Sequence, residues 1–175
     1  ELDITEVYPL DNLHNPQGVI LKAHNLLANT YRVKKAFFLV NGSSCGNLAA
    51  IFSAFNEGDE VLVERNCHKS IYNGLILRKL KPIYIDSLID EKNEVLLPCT
   101  EKNILKAIEE ANAPKGLILT MPNYYGISVD IDKLLLDLKK KGLKVIIDAA
   151  HGAHYGFSEE LPKGLFKIAD YLVTS

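Results

Sequence analysis

The chain has 175 residues, 47% hydrophobic and 24% charged, with 20 Lys and Arg against 22 Asp and Glu for a formal net charge of −2. This is ordinary globular composition, and a chain of this length buries roughly 70% of the surface its unfolded form exposes, enough for a single core without disulfides or metal. The near-neutral balance lacks the phosphate attraction that most nucleic-acid binders depend on, and no apolar run approaches the roughly 18 residues of a membrane helix, so neither nucleic acid nor membrane is an expected partner.

No basic segment followed by an apolar one opens the chain, which reads as untargeted. Cys45, Cys67 and Cys99 make an odd number without a CxxC pair. That fits reduced thiols and a cytoplasmic location better than a disulfide framework or a thiolate zinc site.

Six short apolar runs punctuate the sequence: Phe37 to Val40, Val61 to Val63, Ile83 to Ile85, Leu117 to Leu119, Val145 to Ile147 and Tyr171 to Val173. They are continuously apolar rather than alternating, as strands covered on both faces are, and more than 20 residues separate the start of each from the next. That spacing is too long for hairpins. The stretch from Leu48 to Phe55 reads as a helix after the first run. Ile104, Leu105, Ile108 and Ala111 mark one face of a later helix, and Ile131, Leu134, Leu135 and Leu138 mark one face of another. The βαβαβ order predicts an α/β fold of three layers, αβα, with a mainly parallel sheet and right-handed crossovers, in one domain over residues 1–175.

Punctuation agrees with these boundaries. Gly58-Asp59 and Lys81-Pro82 precede strands, and Lys139-Lys140-Lys141-Gly142 reads as a helix end with cations on its last turn and a glycine stop. Asp86 to Thr100 is the longest expected loop. Tyr171 to Ser175 reads as a strand that stops at the sheet's carboxyl edge with no helix after it, so the large domain is expected to be incomplete at its C-terminus.

Ligands of open parallel sheets bind beyond the carboxyl ends of the strands, which directs attention to the residues after each run. The first is Asn41-Gly42-Ser43-Ser44-Cys45-Gly46, a small-residue turn entering a helix. Free N–H groups and two hydroxyls could cradle a phosphate there, or the segment is a plain tight turn; it is neither a Walker loop nor GxGxxG. The second is Asn66-Cys67-His68-Lys69-Ser70. Cys67 beside His68 suggests a nucleophile, but adjacent residues point in different directions. His68 either lays its ring on a planar ligand or simply begins a helix. The third is Asp148-Ala149-Ala150-His151-Gly152-Ala153-His154. A carboxylate at the tip of a buried strand asks for a partner, and three fit: a metal shared with His151 and His154, a protonated heteroaromatic nitrogen, or backbone N–H groups.

These three segments, together and in this order, resemble the bacterial ornithine/lysine/arginine decarboxylases, pyridoxal-phosphate enzymes of the aspartate aminotransferase fold. Pro9-Leu10-Asp11-Asn12-Leu13-His14-Asn15-Pro16, the Phe37-Phe38 run and Leu161-Pro162 share the resemblance, which covers essentially the whole chain. It implies pyridoxal 5'-phosphate as cofactor and no metal. Gly42, Ser43, Ser44 and Cys45 would hold the cofactor phosphate, and His68 would stack on its ring. Asp148 would pair with the ring nitrogen, His151 would sit near the 3-hydroxyl, and Ser175 would contact the phosphate. His68 and Asp148 would be the catalytic residues.

The resemblance also implies an amino acid substrate, with lysine, arginine or ornithine converted to the amine plus CO2, and a homodimer or higher assembly. The family's Schiff-base lysine would lie three residues beyond Ser175, so the segment alone is expected to be inactive, and Lys69 does not match that position. Met121-Pro122-Asn123-Tyr124 stands where members carry Asn-Pro-Thr-Tyr, and a thioether cannot donate a hydrogen bond to the cofactor ring. An aldolase or aminotransferase on the same cofactor, and a non-catalytic structural or binding partner, are the alternatives.

Overall fold

The computed structural model describes residues 8–175, in two compact units divided after Val40. The described part of the first unit is built on helix α1 (Val19–Tyr31), which ends where Arg32 turns left-handed at φ 55°. No side chain at its N-cap satisfies the first turn. Asp11 does so from six to nine residues upstream, accepting from the N–H groups of Gln17, Gly18 and Ile20 at 2.7–3.0 Å. Those bonds favour the charged form and hold its carboxyl down at about 2.

The run from Phe37 to Val40, expected as the first strand, is not one. It pairs with no strand among the described residues, and all four side chains are exposed, Val40 by 74%. An apolar run becomes a strand only where a ladder partner takes its backbone groups. Here the Phe38 N–H donates instead to His24 Nε2, and the His24 ring lies 5.3 Å from that of Phe38.

The second unit begins with α2 (Gly42–Ala54) and continues β1 (Glu60–Glu64), α3 (Lys69–Leu77), β2 (Lys81–Ile85), β3 (Ile89–Asp90), β4 (Val95–Leu96), α4 (Glu101–Glu110), β5 (Pro114–Thr120), α5 (Asp132–Lys140), β6 (Lys144–Asp148) and β7 (Tyr171–Val173). The five longer strands form one sheet in the order β2-β1-β5-β6-β7, every pair parallel. Strand alternation splits the core in two. Leu62, Leu117, Leu119, Val145 and Ile147 face α4 and α5, whereas Val61, Val63, Ile118 and Ile146 face α2 and α3. The expected αβα layering follows directly from these two apolar faces.

Two details differ from expectation. The long loop holds a small antiparallel pair, β3 with β4, too short for a periodicity to reveal. At the end of α5, Gly142 supplies the left-handed stop at φ 90°, but Lys139 is not simply solvated: its Nζ lies 3.2 Å from Asp170 Oδ1. Asp170 Oδ2 also accepts the Val145 N–H at 2.8 Å, tying α5 to the start of β6 through the residue before β7.

Candidate cofactor-binding site

The parallel ladder sets Glu64, Thr120 and Asp148 at the carboxyl ends of adjacent strands, with Thr120 directly opposite Asp148. Parity decides where each points. Asp148 has the parity of Ile146 and turns to the α2/α3 face, while Glu64 has the parity of Leu62 and turns to the other face.

Asp148 is 3% exposed. Its Oδ2 accepts from Asn47 Nδ2 at 2.8 Å and its Oδ1 from the Ala150 N–H at 3.2 Å. No Lys, Arg or His pairs with it among the described residues. Asn47 Nδ2 also donates to Ser70 Oγ at 3.0 Å, and Ser70 Oγ lies 2.9 Å from His68 Nδ1. His68 is exposed and caps α3, its Nδ1 accepting the Ser70 N–H at 3.2 Å. A hydrogen-bonded chain therefore runs from Asp148 through Asn47 and Ser70 to His68.

The other expected residues surround this chain less tightly. Gly42, Ser43, Ser44 and Cys45 form the first turn of α2, where Asn41 provides no side-chain cap. Gly42 takes φ 67°, a left-handed conformation that costs glycine nothing, and a Cβ there would meet nothing within 4 Å. The turn is thus an open set of N–H groups at a positive helix end. His151 is exposed, three residues past Asp148, its ring edge-on to Tyr124 at 5.7 Å. Ser175 Oγ donates to Ala150 O at 3.1 Å. No hydrogen bond among the described residues joins the α2 first turn to His68, His151 or Ser175.

The nucleophile reading of Cys67 loses ground. Burial pushes the Cys67 thiol up to about 11, the opposite of what a nucleophile needs. Among the described residues no three His, Cys, Asp or Glu side chains gather where a metal could sit. No helix there is long and apolar enough to cross a membrane. Met121 is 5% exposed and belongs to the core.

Sequence reasoning did not single out Asn47, Ser70, Glu64 or the inner role of Asn123. Asn123, 1% exposed, accepts the N–H groups of Tyr125 and Ile127 at 3.0 Å and donates to Leu96 O at 2.9 Å, fixing the loop behind His151. Glu64, also 1% exposed, accepts the N–H groups of Cys99 and Thr120 at 3.2 and 2.9 Å. Its carboxyl is pushed above the usual range by burial. The Glu64 bonds and the Asn123 bond to Leu96 join residues 27 to 56 positions apart, too far for spacing to announce them.

Comparison with known proteins places the chain. The profile of the Orn/Lys/Arg decarboxylase major domain matches residues 1–171. An uncharacterized protein of Bacillus subtilis, YaaO, is 40% identical over 99% of this chain and 36% of its own length. An arginine decarboxylase of Bacillus cereus is 34% identical over 99% of this chain and 38% of its own length. The chain thus spans little more than a third of these relatives. Among solved structures, aspartate aminotransferase from Thermotoga maritima superimposes with a TM-score of 0.62 at 17% identity, over 87% of this chain and 41% of that one. The parallel sheet, its two helical layers and the profile match agree: the fold is aspartate aminotransferase-like, and the chain belongs to the Orn/Lys/Arg decarboxylase family.

Proposed function

We propose that this chain forms the pyridoxal-phosphate-binding large domain of a decarboxylase that converts a basic amino acid, lysine, arginine or ornithine, to its amine and CO2. The observation that carries the reading is Asp148. A carboxylate buried to this degree, with two hydrogen bonds and no cation among the described residues, calls for a positive partner. A protonated pyridine nitrogen is such a partner. The uncapped first turn of α2, with open space beside Gly42, suits a phosphate. The donor set therefore fits the cofactor.

When bound, pyridoxal phosphate supplies the electron sink that receives the bonding pair left as the substrate carboxylate departs. The protein's part is to bind, orient and hold protons. The N–H groups and hydroxyls of Gly42, Ser43, Ser44 and Cys45 bind the phosphate, and Ser175 joins them by exchanging its bond to Ala150 O. His68 lays its imidazole against the ring. Asp148 keeps the proton on the ring nitrogen, and its own burial makes that charge pairing stronger than it would be in water. His151 donates toward the 3-hydroxyl. Three free thiols fit a reducing, cytoplasmic setting, and residues 1–175 act as one cofactor-binding domain within a homodimer or larger assembly.

The test uses the intact protein. Pyridoxal phosphate is added, the adduct is reduced with borohydride and the labelled lysine is mapped by mass spectrometry; CO2 release is then followed with lysine, arginine and ornithine. A labelled lysine beyond Ser175 and turnover of one of the three are expected. A loaded protein that releases CO2 from none of them overturns the decarboxylase reading, and transamination or retro-aldol products would point to the alternatives on the same cofactor.

A further inference from the structure

Asn47 occupies an expensive place. It lies in the second turn of α2, 1% exposed, where a short amide side chain is a weaker helix former than leucine and must have partners for its polar atoms. Its two N–H protons go to two other elements, one to Asp148 Oδ2 at 2.8 Å in β6 and one to Ser70 Oγ at 3.0 Å in α3. Its Oδ1 is buried without a hydrogen-bond partner. Turning the amide over would not relieve this, because Oδ1 would then face the Asp148 carboxylate. The orientation is therefore set by Asp148, and the orphaned carbonyl is the cost of donating in both directions.

The direction of hydrogen bonding then propagates. The Asn47 amide nitrogen can only donate, so Ser70 Oγ accepts there and its own hydrogen is free for His68 Nδ1, 2.9 Å away. The Ser70 backbone N–H reaches the same Nδ1 at 3.2 Å. With Nδ1 taking donors from both, the neutral His68 ring carries its hydrogen on Nε2.

We propose that Asn47 and Ser70 are positioning residues: together they form a relay that fixes the Asp148 carboxylate and the His68 ring relative to each other and selects the Nε2–H tautomer of His68. The relay rests on the reading of Asp148 and His68 as the two groups that grip the cofactor ring, one at its nitrogen and one on its face. It explains why a ring exposed to solvent at the start of a helix should hold one orientation before any ligand arrives.

The experiment uses the intact protein labelled with 15N-histidine and free of cofactor, with the side-chain nitrogen shifts of His68 read at a pH where the ring is neutral. Four proteins are compared: wild type, Asn47→Leu, Ser70→Ala and Ser70→Thr. The wild type is expected to be predominantly Nε2–H. The minor Nδ1–H form should rise several-fold in Asn47→Leu and Ser70→Ala, and return to the wild-type level in Ser70→Thr, which keeps a hydroxyl. Pyridoxal phosphate affinity, read by absorbance titration, should fall roughly tenfold or more in Asn47→Leu, the loss of one hydrogen bond to a charged group. Ser70→Thr should bind as the wild type does.

A wild-type ring that is mainly Nδ1–H, or a tautomer ratio unchanged across all four proteins, overturns the relay even if the cofactor binds. A wild type that binds no pyridoxal phosphate overturns the cofactor reading, while the tautomer ratios still decide whether the relay exists. Should Asn47→Leu fail to fold, the Ser70→Ala and Ser70→Thr pair carries the same decision.

Discussion

Replacing Gly152 with alanine tests whether the loop after Asp148 is held as tightly as its surroundings imply. A Cβ on Gly152 would stand 2.5 Å from Pro122 Cδ, with Met121 O at 3.6 Å. Carbon atoms settle at about 3.5–4.0 Å, so the two backbones must separate by about 1 Å. Pro122 is the side that cannot yield, since Asn123 immediately after it is locked by three hydrogen bonds of its side chain. Asp148 is likewise held by Asn47 and Ala150. The strain falls on Ala150 to Ala153 and carries His151 with it. Overpacking of this kind costs about 1–3 kcal/mol, readable as a lower urea midpoint with unchanged slope. A misplacement of about 1 Å in a catalytic constellation can lower turnover by about 100-fold, so CO2 release should suffer far more than folding does. A Gly152→Ala protein as stable as wild type that binds pyridoxal phosphate within about twofold of it, and turns over normally, would refute the reasoning, because the close approach would then be relieved somewhere harmless.

Asp148→Asn removes the charge but keeps the shape. One of its two hydrogen bonds must become a donor facing a donor, an effect partly offset by no longer burying a charge, so folding stability should change little while pyridoxal phosphate affinity falls about 10- to 100-fold in an absorbance titration. At pH 8 only about one Cys67 in a thousand is thiolate, given a thiol near 11, so alkylation followed by mass spectrometry should label it slowly until the pH passes about 10, and Cys67→Ser should keep CO2 release. Glu64 has a carboxyl raised by burial, so its folded form holds a proton more tightly than the unfolded chain does. Its contribution to stability is present below the ordinary glutamate value of 4.5 and is lost as pH rises through the raised value. Urea melts across that range should show Glu64→Gln losing less stability with rising pH than wild type; equal slopes would remove Glu64 from the account.

The strands of the central sheet were legible because burial on both faces leaves a continuous apolar signature, and β1, β2, β5, β6 and β7 each sit on such a run. Phe37 to Val40 carries the same signature without a ladder partner, and composition alone cannot tell the two cases apart. Helix α1 left little signal because its buried positions are His24 and Ala28, a polar and a small residue rather than an apolar stripe. Asp148 and His68 drew attention because one ends β6 and the other follows β1, at the edge where ligands of parallel sheets collect, and the α2 turn because its small residues read as a helix entry even though the run before it is not a strand. Asn47 and Ser70 were not, because their meaning is a contact between helices and a strand. A buried asparagine looks, in sequence, like any polar residue on a helix.

The bond from Asn47 to Asp148 joins residues 101 positions apart. Between them the chain must lay down β1, α3, β2, α4, β5 and α5, so this corner cannot close until most of the sheet has been built. Contacts of such long range carry a large loop-closure entropy and form late. On a ribosome, α2 and α3 would emerge and pack while the carboxylate they await is still unsynthesised. The corner is thus a late marker of folding: until β6 lies beside β5, the Asn47 amide has only one of its two acceptors, and its second bond reports that these two strands have paired.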